Sequence, residues 1–186
     1  MQKAALVIGI NKTGDLPLLS AAASGAVQVG EWLRKEGFQV QPFVDGRKPV
    51  LAGEIFSAVS DLVERGTLQQ LVIYFSGHGF LSNGSEHWML SGAPANPNEA
   101  ISVAESVLLA RECGIPSVVL ISDACRSTPT SLRAERVRGS LIFPNESVAA
   151  GVGFDDVEVD RFFATLPGEP ALEMALEESA GQYEGI

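Results

Sequence analysis

The sequence predicts an α/β fold: a three-layer sandwich with a mostly parallel central sheet and helices on both faces. Three observations carry this. Short, continuous apolar runs recur at 4–10, 70–76 and 117–122, the pattern of strands buried on both faces. Amphipathic stretches of helical period lie between them, each ending at a glycine. Strand–helix alternation of this kind winds into right-handed crossovers and a parallel sheet.

In chain order, AALVIGI (4–10) is the first strand. LLSAAASGAVQVGEWLRKEG (18–37) is a helix, with Val29, Trp32 and Leu33 at helical spacing and Gly37 as its stop. FQVQPFV (38–44) alternates like a strand, and Pro42 sends it towards a sheet edge. VLAGEIFSAVSDLVERG (50–66) repeats the helix-then-glycine pattern, with Ile55, Val59 and Val63 four apart. QLVIYFS (70–76) is the next strand, followed by a turn at 82–84 and a short extra strand, HWMLSG (87–92).

AISVAESVLLARECG (100–114) reads as a third amphipathic helix and SVVLIS (117–122) as a third central strand behind Pro116. RFFATL (161–166) is a later strand and EPALEMALEES (169–179) a final helix. Residues 127–160 carry no clean periodicity, and so long a loop is expected to be functional or disordered. It holds Arg133, Arg136 and Arg138, then the acidic run Asp155, Asp156, Glu158 and Asp160.

A chain of 186 residues, 46% hydrophobic and 19% charged, suits one soluble domain with room for a core. Its net charge of −10 argues against nucleic acid as a partner, since phosphates need a basic footprint. No apolar run approaches the roughly 20 residues that span a bilayer. The N-terminal run is too short for a signal peptide and reads as a strand. Two cysteines, Cys113 and Cys125, without a CxxC pair, argue against a disulfide framework or a Cys/His zinc site. The cytoplasm is the expected location.

Two strand ends carry the chemistry. The strand at 70–76 runs into Ser76-Gly77-His78-Gly79, and the strand at 117–122 into Asp123-Ala124-Cys125. Sites in open α/β sheets form at the carboxyl ends of parallel strands, so parallel pairing would put His78 and Cys125 on one sheet edge. A thiol attacks a carbonyl at neutral pH when a base such as imidazole activates it. Glycines beside the histidine let a substrate backbone approach closely. Backbone N–H groups at Gly79 and Cys125 could form an oxyanion hole. By contrast, His87 reads as a strand-face or turn histidine, and Cys113 as a small buried hydrophobe.

These residues resemble a known family. The caspase signature places Q-A-C-[RQG]-G about 50 residues after a histidine; here Asp123-Ala124-Cys125-Arg126-Ser127 follows His78 by 47 positions. FSGHG is similar to the histidine motif of metacaspases and their prokaryotic relatives, and DACRS to their cysteine motif. ALVIGIN resembles the family's first strand, EWLRKEGF the approach to its second, and RFFATLPGEPALE the opening of its small subunit.

The resemblance implies a caspase-type sandwich and a cysteine endopeptidase acting on a protein or peptide substrate. In it Cys125 is the nucleophile, His78 the base and acid, and Gly79 and Cys125 the oxyanion donors. Asp123 matches the acid that metacaspases place in the pocket for a basic residue before the scissile bond. Where caspases carry a pocket arginine and metacaspases an aspartate, this chain has Ala23-Ser24-Gly25. That argues against cleavage after aspartate and leaves an Arg/Lys preference resting on Asp123. With that preference, Arg133, Arg136 and Arg138 are candidates for self-cleavage.

The acidic run at 155–160 reads first as a solvated charge run; Ca²⁺, which some metacaspases bind, is the alternative, and no other metal or cofactor is expected. The family pattern divides one domain over 1–186 into a large-subunit-like part (1–126), a linker (127–160) and the start of a small-subunit-like part (161–186). The family continues past the position of Ile186, so a truncated or longer parent protein is expected. A monomer is the expected state, with a fused or associated sensor region and a role as a regulated effector in bacterial signalling or defence. The alternatives are a catalytically idle interaction module, or cleavage after a non-basic residue.

Overall fold

The structure, a computed structural model, describes residues 2–82, 84–126, 132–145, 157–169, 173–175 and 183–185. Along the chain run β1 (Gln2–Gly9), α1 (Ala22–Lys35), β2 (Gln39–Val44), α2 (Ala52–Glu64), β3 (Leu68–Gly77), β4 (Gly79–Ser82) and β5 (Ser85–Met89). Then follow β6 (Ala100–Ser102), α3 (Val103–Ala110), β7 (Ser117–Ala124), α4 (Leu132–Glu135), β8 (Glu158–Phe163), β9 (Glu173–Ala175) and β10 (Tyr183–Gly185).

Five strands form one sheet in the order β2-β1-β3-β7-β8, and every neighbouring pair is parallel. The expected α/β sandwich is therefore present, with β3 at its centre and the Pro42-bearing β2 at an edge. Alternation along the strands divides the core. Leu6, Ile8, Ile73, Phe75 and Leu120 face α2 and α3 and pack with Ile55, Val59, Val103 and Val107. Ala5, Val7, Val72 and Tyr74 face α1, against Ala26 and Leu33. Each such large apolar side chain contributes about 1.5–3 kcal/mol on burial.

Helix α1 ends where Gly37 was expected to stop it. Gly37 has φ +86°, its N–H donates to Arg34 O at 3.1 Å, and the Phe38 N–H donates to Leu33 O at 3.0 Å. This is a Schellman cap, which favours a residue without Cβ at its left-handed position. The buried face of α1 keeps the expected Leu33 and packs Val29 against the core, with Ala22, Ala26 and Gly30 buried beside them, but Trp32 is exposed. Small residues win here because α1 lies close on the sheet, a Cβ at Gly30 coming within 3.2 Å of Val7.

Three other expectations change. Residues 100–102 open the predicted third helix as a strand, because they pair with β5 in a small antiparallel sheet, β4-β5-β6. The stretch 127–160 is not structureless throughout. Its residues 132–135 are helical, Ser140 bridges to Ile101, and Ile142 and Phe143 are buried in the main core. A few apolar anchors docking on a sheet need no period, so periodicity did not reveal them. Finally, Glu173–Ala175, inside the predicted helix 169–179, is a strand paired antiparallel with β10. Cross-strand pairing overrides helix propensity, which is a weak prior.

Candidate active site

The register of β3 against β7 builds the site. Ser76 pairs with Asp123 and Gly77 with Ala124, and the first residue beyond each strand is His78 and Cys125 respectively. In parallel strands, neighbours lie about 4.7–4.9 Å apart, so the two side chains leave the sheet from adjacent points on its carboxyl edge. Gly79 closes the arrangement: a Cβ there would lie 2.8 Å from the Cys125 carbonyl oxygen and 3.0 Å from the Ala124 Cβ. The histidine and cysteine turns thus pack backbone to backbone. Cys125 is half-buried, as is His78.

One ring nitrogen of His78 is engaged. Nε2 lies 2.7 Å from the Pro17 carbonyl oxygen. A carbonyl can only accept, so in the neutral ring Nε2 carries the proton and Nδ1 is the basic nitrogen. Pro17 belongs to the loop between β1 and α1, which is tied down at its start. The Asn11 and Lys12 N–H groups donate to the Asp45 carboxylate at 3.1 and 2.7 Å. Asn11 Oδ1 accepts from the Ala23 N–H at 2.9 Å, satisfying one of the orphan donors at the start of α1. Sequence reading missed Pro17, because a backbone carbonyl leaves no mark in residue type.

Asp123 faces α1, on the same side as Tyr74. Its Oδ2 accepts from the Tyr74 hydroxyl at 2.9 Å and the Ser76 hydroxyl at 3.2 Å. Burial, then the charge of Asp123 and the hydrogen bond to it, push the Tyr74 phenol well above its ordinary value. Tyr74 therefore stays a neutral donor. Gly25 of α1 lies opposite, where a Cβ would be 3.9 Å from the Tyr74 hydroxyl. The predicted pocket acid is thus half-buried and held by two hydroxyls that sequence reading had not singled out.

On the other face of β7, Ser122, Trp88 and Glu86 form a buried polar cluster. Glu86 Oε1 accepts from Trp88 Nε1 at 2.8 Å and from the Ser122 hydroxyl. Trp88 is stacked on Phe75 at a centroid distance of 5.0 Å.

The other sequence candidates lie elsewhere. His87 is buried on β5, where it pairs with Phe80 and its ring stacks on the Phe80 ring; its Nδ1 lies 3.2 Å from the Ser85 carbonyl oxygen. Cys113 is in the main core, and burial pushes its thiol up. Arg133 falls in α4, with Arg136 and Arg138 just beyond it and exposed. The Arg138 N–H is held by Pro97 O at 2.9 Å. Of the acidic run, Asp155 and Asp156 lie outside the described residues, and Glu158 and Asp160 are exposed on β8. Among the described residues no group of three or more His, Cys, Asp or Glu is placed to hold a metal ion. Among them, too, no helix is long and apolar enough to cross a membrane.

A parallel sheet that presents an imidazole and a thiol at adjacent strand ends defines a class, the α/β sandwich with a cysteine–histidine edge. The chain belongs to the caspase domain family of cysteine peptidases, whose pattern it matches over residues 2–180. Among solved structures it is similar to the crystal structure of protein GSU0716 from Geobacter sulfurreducens, with a TM-score of 0.54 and 20% identity. That likeness concerns the fold; it covers 69% of this chain and 52% of the other, so this chain spans about half the length of that protein. No curated protein matches the sequence significantly.

Proposed function

We propose that the chain is a cysteine endopeptidase in which Cys125 attacks the scissile carbonyl and His78 moves the proton. The observation that carries this is the β3–β7 register, which sets Gly77 against Ala124 immediately before His78 and Cys125. His78 Nδ1, left basic by the Nε2 contact with Pro17, takes the thiol proton and later delivers it to the leaving amine. Water then releases the acyl group from Cys125, with His78 again acting as base. The N–H groups of Gly79 and Cys125 stabilise the oxyanion, a role supported by the contact between the two turns.

For the residue before the scissile bond we favour Arg or Lys. Both hydroxyl contacts of Asp123 fall on Oδ2, which fixes the carboxylate's orientation. Gly25 leaves the space beside Tyr74 open. A guanidinium or ammonium entering there would meet a carboxylate already fixed in orientation. The metacaspase-like motifs extend the proposal to a regulated effector in bacterial signalling or defence, in the cytoplasm.

The test is hydrolysis of fluorogenic peptides ending in Arg, Lys or Asp, by the wild type, Cys125→Ala and His78→Ala, with and without Ca²⁺. Cleavage after Arg or Lys that both substitutions abolish is expected. Cleavage after Asp alone would overturn the pocket assignment. No cleavage of any peptide would favour an interaction module instead.

A further inference from the structure

The residue after the nucleophile is held by a group that peptide hydrolysis does not itself need. Arg126 Nε lies 3.1 Å from Glu86 Oε2, with the side chains 15% and 4% exposed. Neither atom has an aligned hydrogen bond, so the ion-pair contact is what compensates each. The other oxygen of Glu86 is occupied by Trp88 and Ser122, which leaves the carboxylate one orientation. The guanidinium carbon sits 4.0 Å from the centroid of the Phe163 ring on β8. The backbone of Arg126 is pinned as well: its N–H donates to Glu169 O at 3.0 Å, and its carbonyl accepts from the Gly168 N–H at 2.9 Å.

These contacts converge on the peptide unit that joins Cys125 to Arg126. The antiparallel sheet reaches it through Glu86, and the main sheet through Phe163. A buried carboxylate and a buried guanidinium are each costly alone, so the pair holds its geometry strongly. The Cys125 carbonyl, which belongs to that peptide unit, is also the atom against which Gly79 packs.

We propose that Glu86 is a positioning residue that acts through Arg126 to fix the backbone carrying the Cys125 thiol and N–H. This rests on the reading of Cys125 as nucleophile, and it goes further by assigning the reaction's geometry to a carboxylate on the opposite face from the Asp123 pocket. Glu86→Gln keeps an acceptor for Trp88 and Ser122 but turns it from an anion into a neutral partner of the guanidinium. Its effect should therefore be on turnover more than on binding.

The experiment is a double-mutant cycle with Glu86→Gln, Arg126→Met and the double variant, all in the full chain. It reads kcat and KM on the preferred peptide and the pH-dependent rate of Cys125 alkylation by iodoacetamide, each per folded molecule. Single variants should lose about tenfold or more in kcat, with KM within about threefold, because a misplacement of about 1 Å costs on the order of a hundredfold and a fraction of that shift about tenfold. In the Arg126→Met background, Glu86→Gln should change kcat by less than about twofold, the mark of one shared pathway.

Additive losses, or unchanged kcat in the folded single variants, overturn the proposal. If Glu86→Gln does not fold, Arg126→Met alone decides: wild-type kcat and wild-type alkylation refute it. Alkylation separates this inference from the enzymatic one. A wild type that cleaves no peptide, yet loses its Cys125 alkylation profile in both single variants without further loss in the double, supports the positioning role while the peptidase reading fails. A cleaving wild type matched by every variant in both readouts does the reverse.

Discussion

Gly79→Ala tests the contact between the two turns most directly. The added methyl would start 2.8 Å from the Cys125 carbonyl oxygen, where ordinary contact begins at 3.4 Å, so the turns must part by about 0.6 Å. The Cys125 side cannot yield freely, because Arg126 is tied to Gly168 and Glu169 by two backbone hydrogen bonds. The displacement therefore falls on the geometry between His78, Gly79 and Cys125. A misplacement of about 1 Å costs on the order of a hundredfold in rate, so roughly tenfold is expected from this one. Overpacking adds a stability loss of about 1–3 kcal/mol, which for a chain of this size lowers Tm by several degrees.

The assay is kcat on the preferred peptide, normalised to the folded fraction, beside thermal unfolding. Gly53→Ala is the control. Nothing lies within 4 Å of a Cβ built at that position, and a solvent-exposed helical glycine gains up to about 1 kcal/mol when replaced by alanine. That control should be at least as stable as wild type, with unchanged kcat. Wild-type kcat and wild-type Tm in Gly79→Ala would refute the close approach of the turns.

Two further predictions concern protons and thiols. Tyr74 has its phenol raised by burial and by Asp123, so the native state keeps a proton that the unfolded chain loses above about pH 10. Its stabilising contribution is then full below that pH and declines as pH rises through it; urea unfolding should fall less steeply at alkaline pH in Tyr74→Phe, and identical slopes would count against the contact. Cys113 is buried with its thiol pushed up, while Cys125 is half-buried. Mass spectrometry after brief native alkylation should find Cys125 labelled well before Cys113, and the opposite order would contradict the core position of Cys113.

Much of the sheet was legible because its strands are continuous apolar runs with few alternatives. QLVIYFS and SVVLIS can be buried on both faces only as inner strands, and they became β3 and β7, adjacent at the centre. Helices failed where local pattern and packing diverged. Trp32 has helical spacing with Leu33, yet the close approach of α1 to the sheet selects Ala26 and Gly30 for the inner face and leaves the indole outside. Ala100–Ser102 continue an apolar helical pattern, but a neighbouring strand edge takes them first. Ile142 and Phe143 are anchors in an aperiodic stretch, and burial of single residues has no period to detect.

The sequence by itself determined the residue types and their order: an imidazole and a thiol, each just past the end of a buried apolar run, the imidazole between two glycines. This is local information, since glycine and the end of an apolar run are properties of neighbouring residues. Only the tertiary structure decided which groups meet. The pairing of Ser76 with Asp123 is a long-range register. The carbonyl of Pro17 at His78, the Tyr74 hydroxyl on Asp123 and Glu86 beside Arg126 all join residues distant in the chain. Such contacts arise from how sheets and loops pack, and a carbonyl, a hydroxyl or a carboxylate carries no sign in the sequence of the partner it will find.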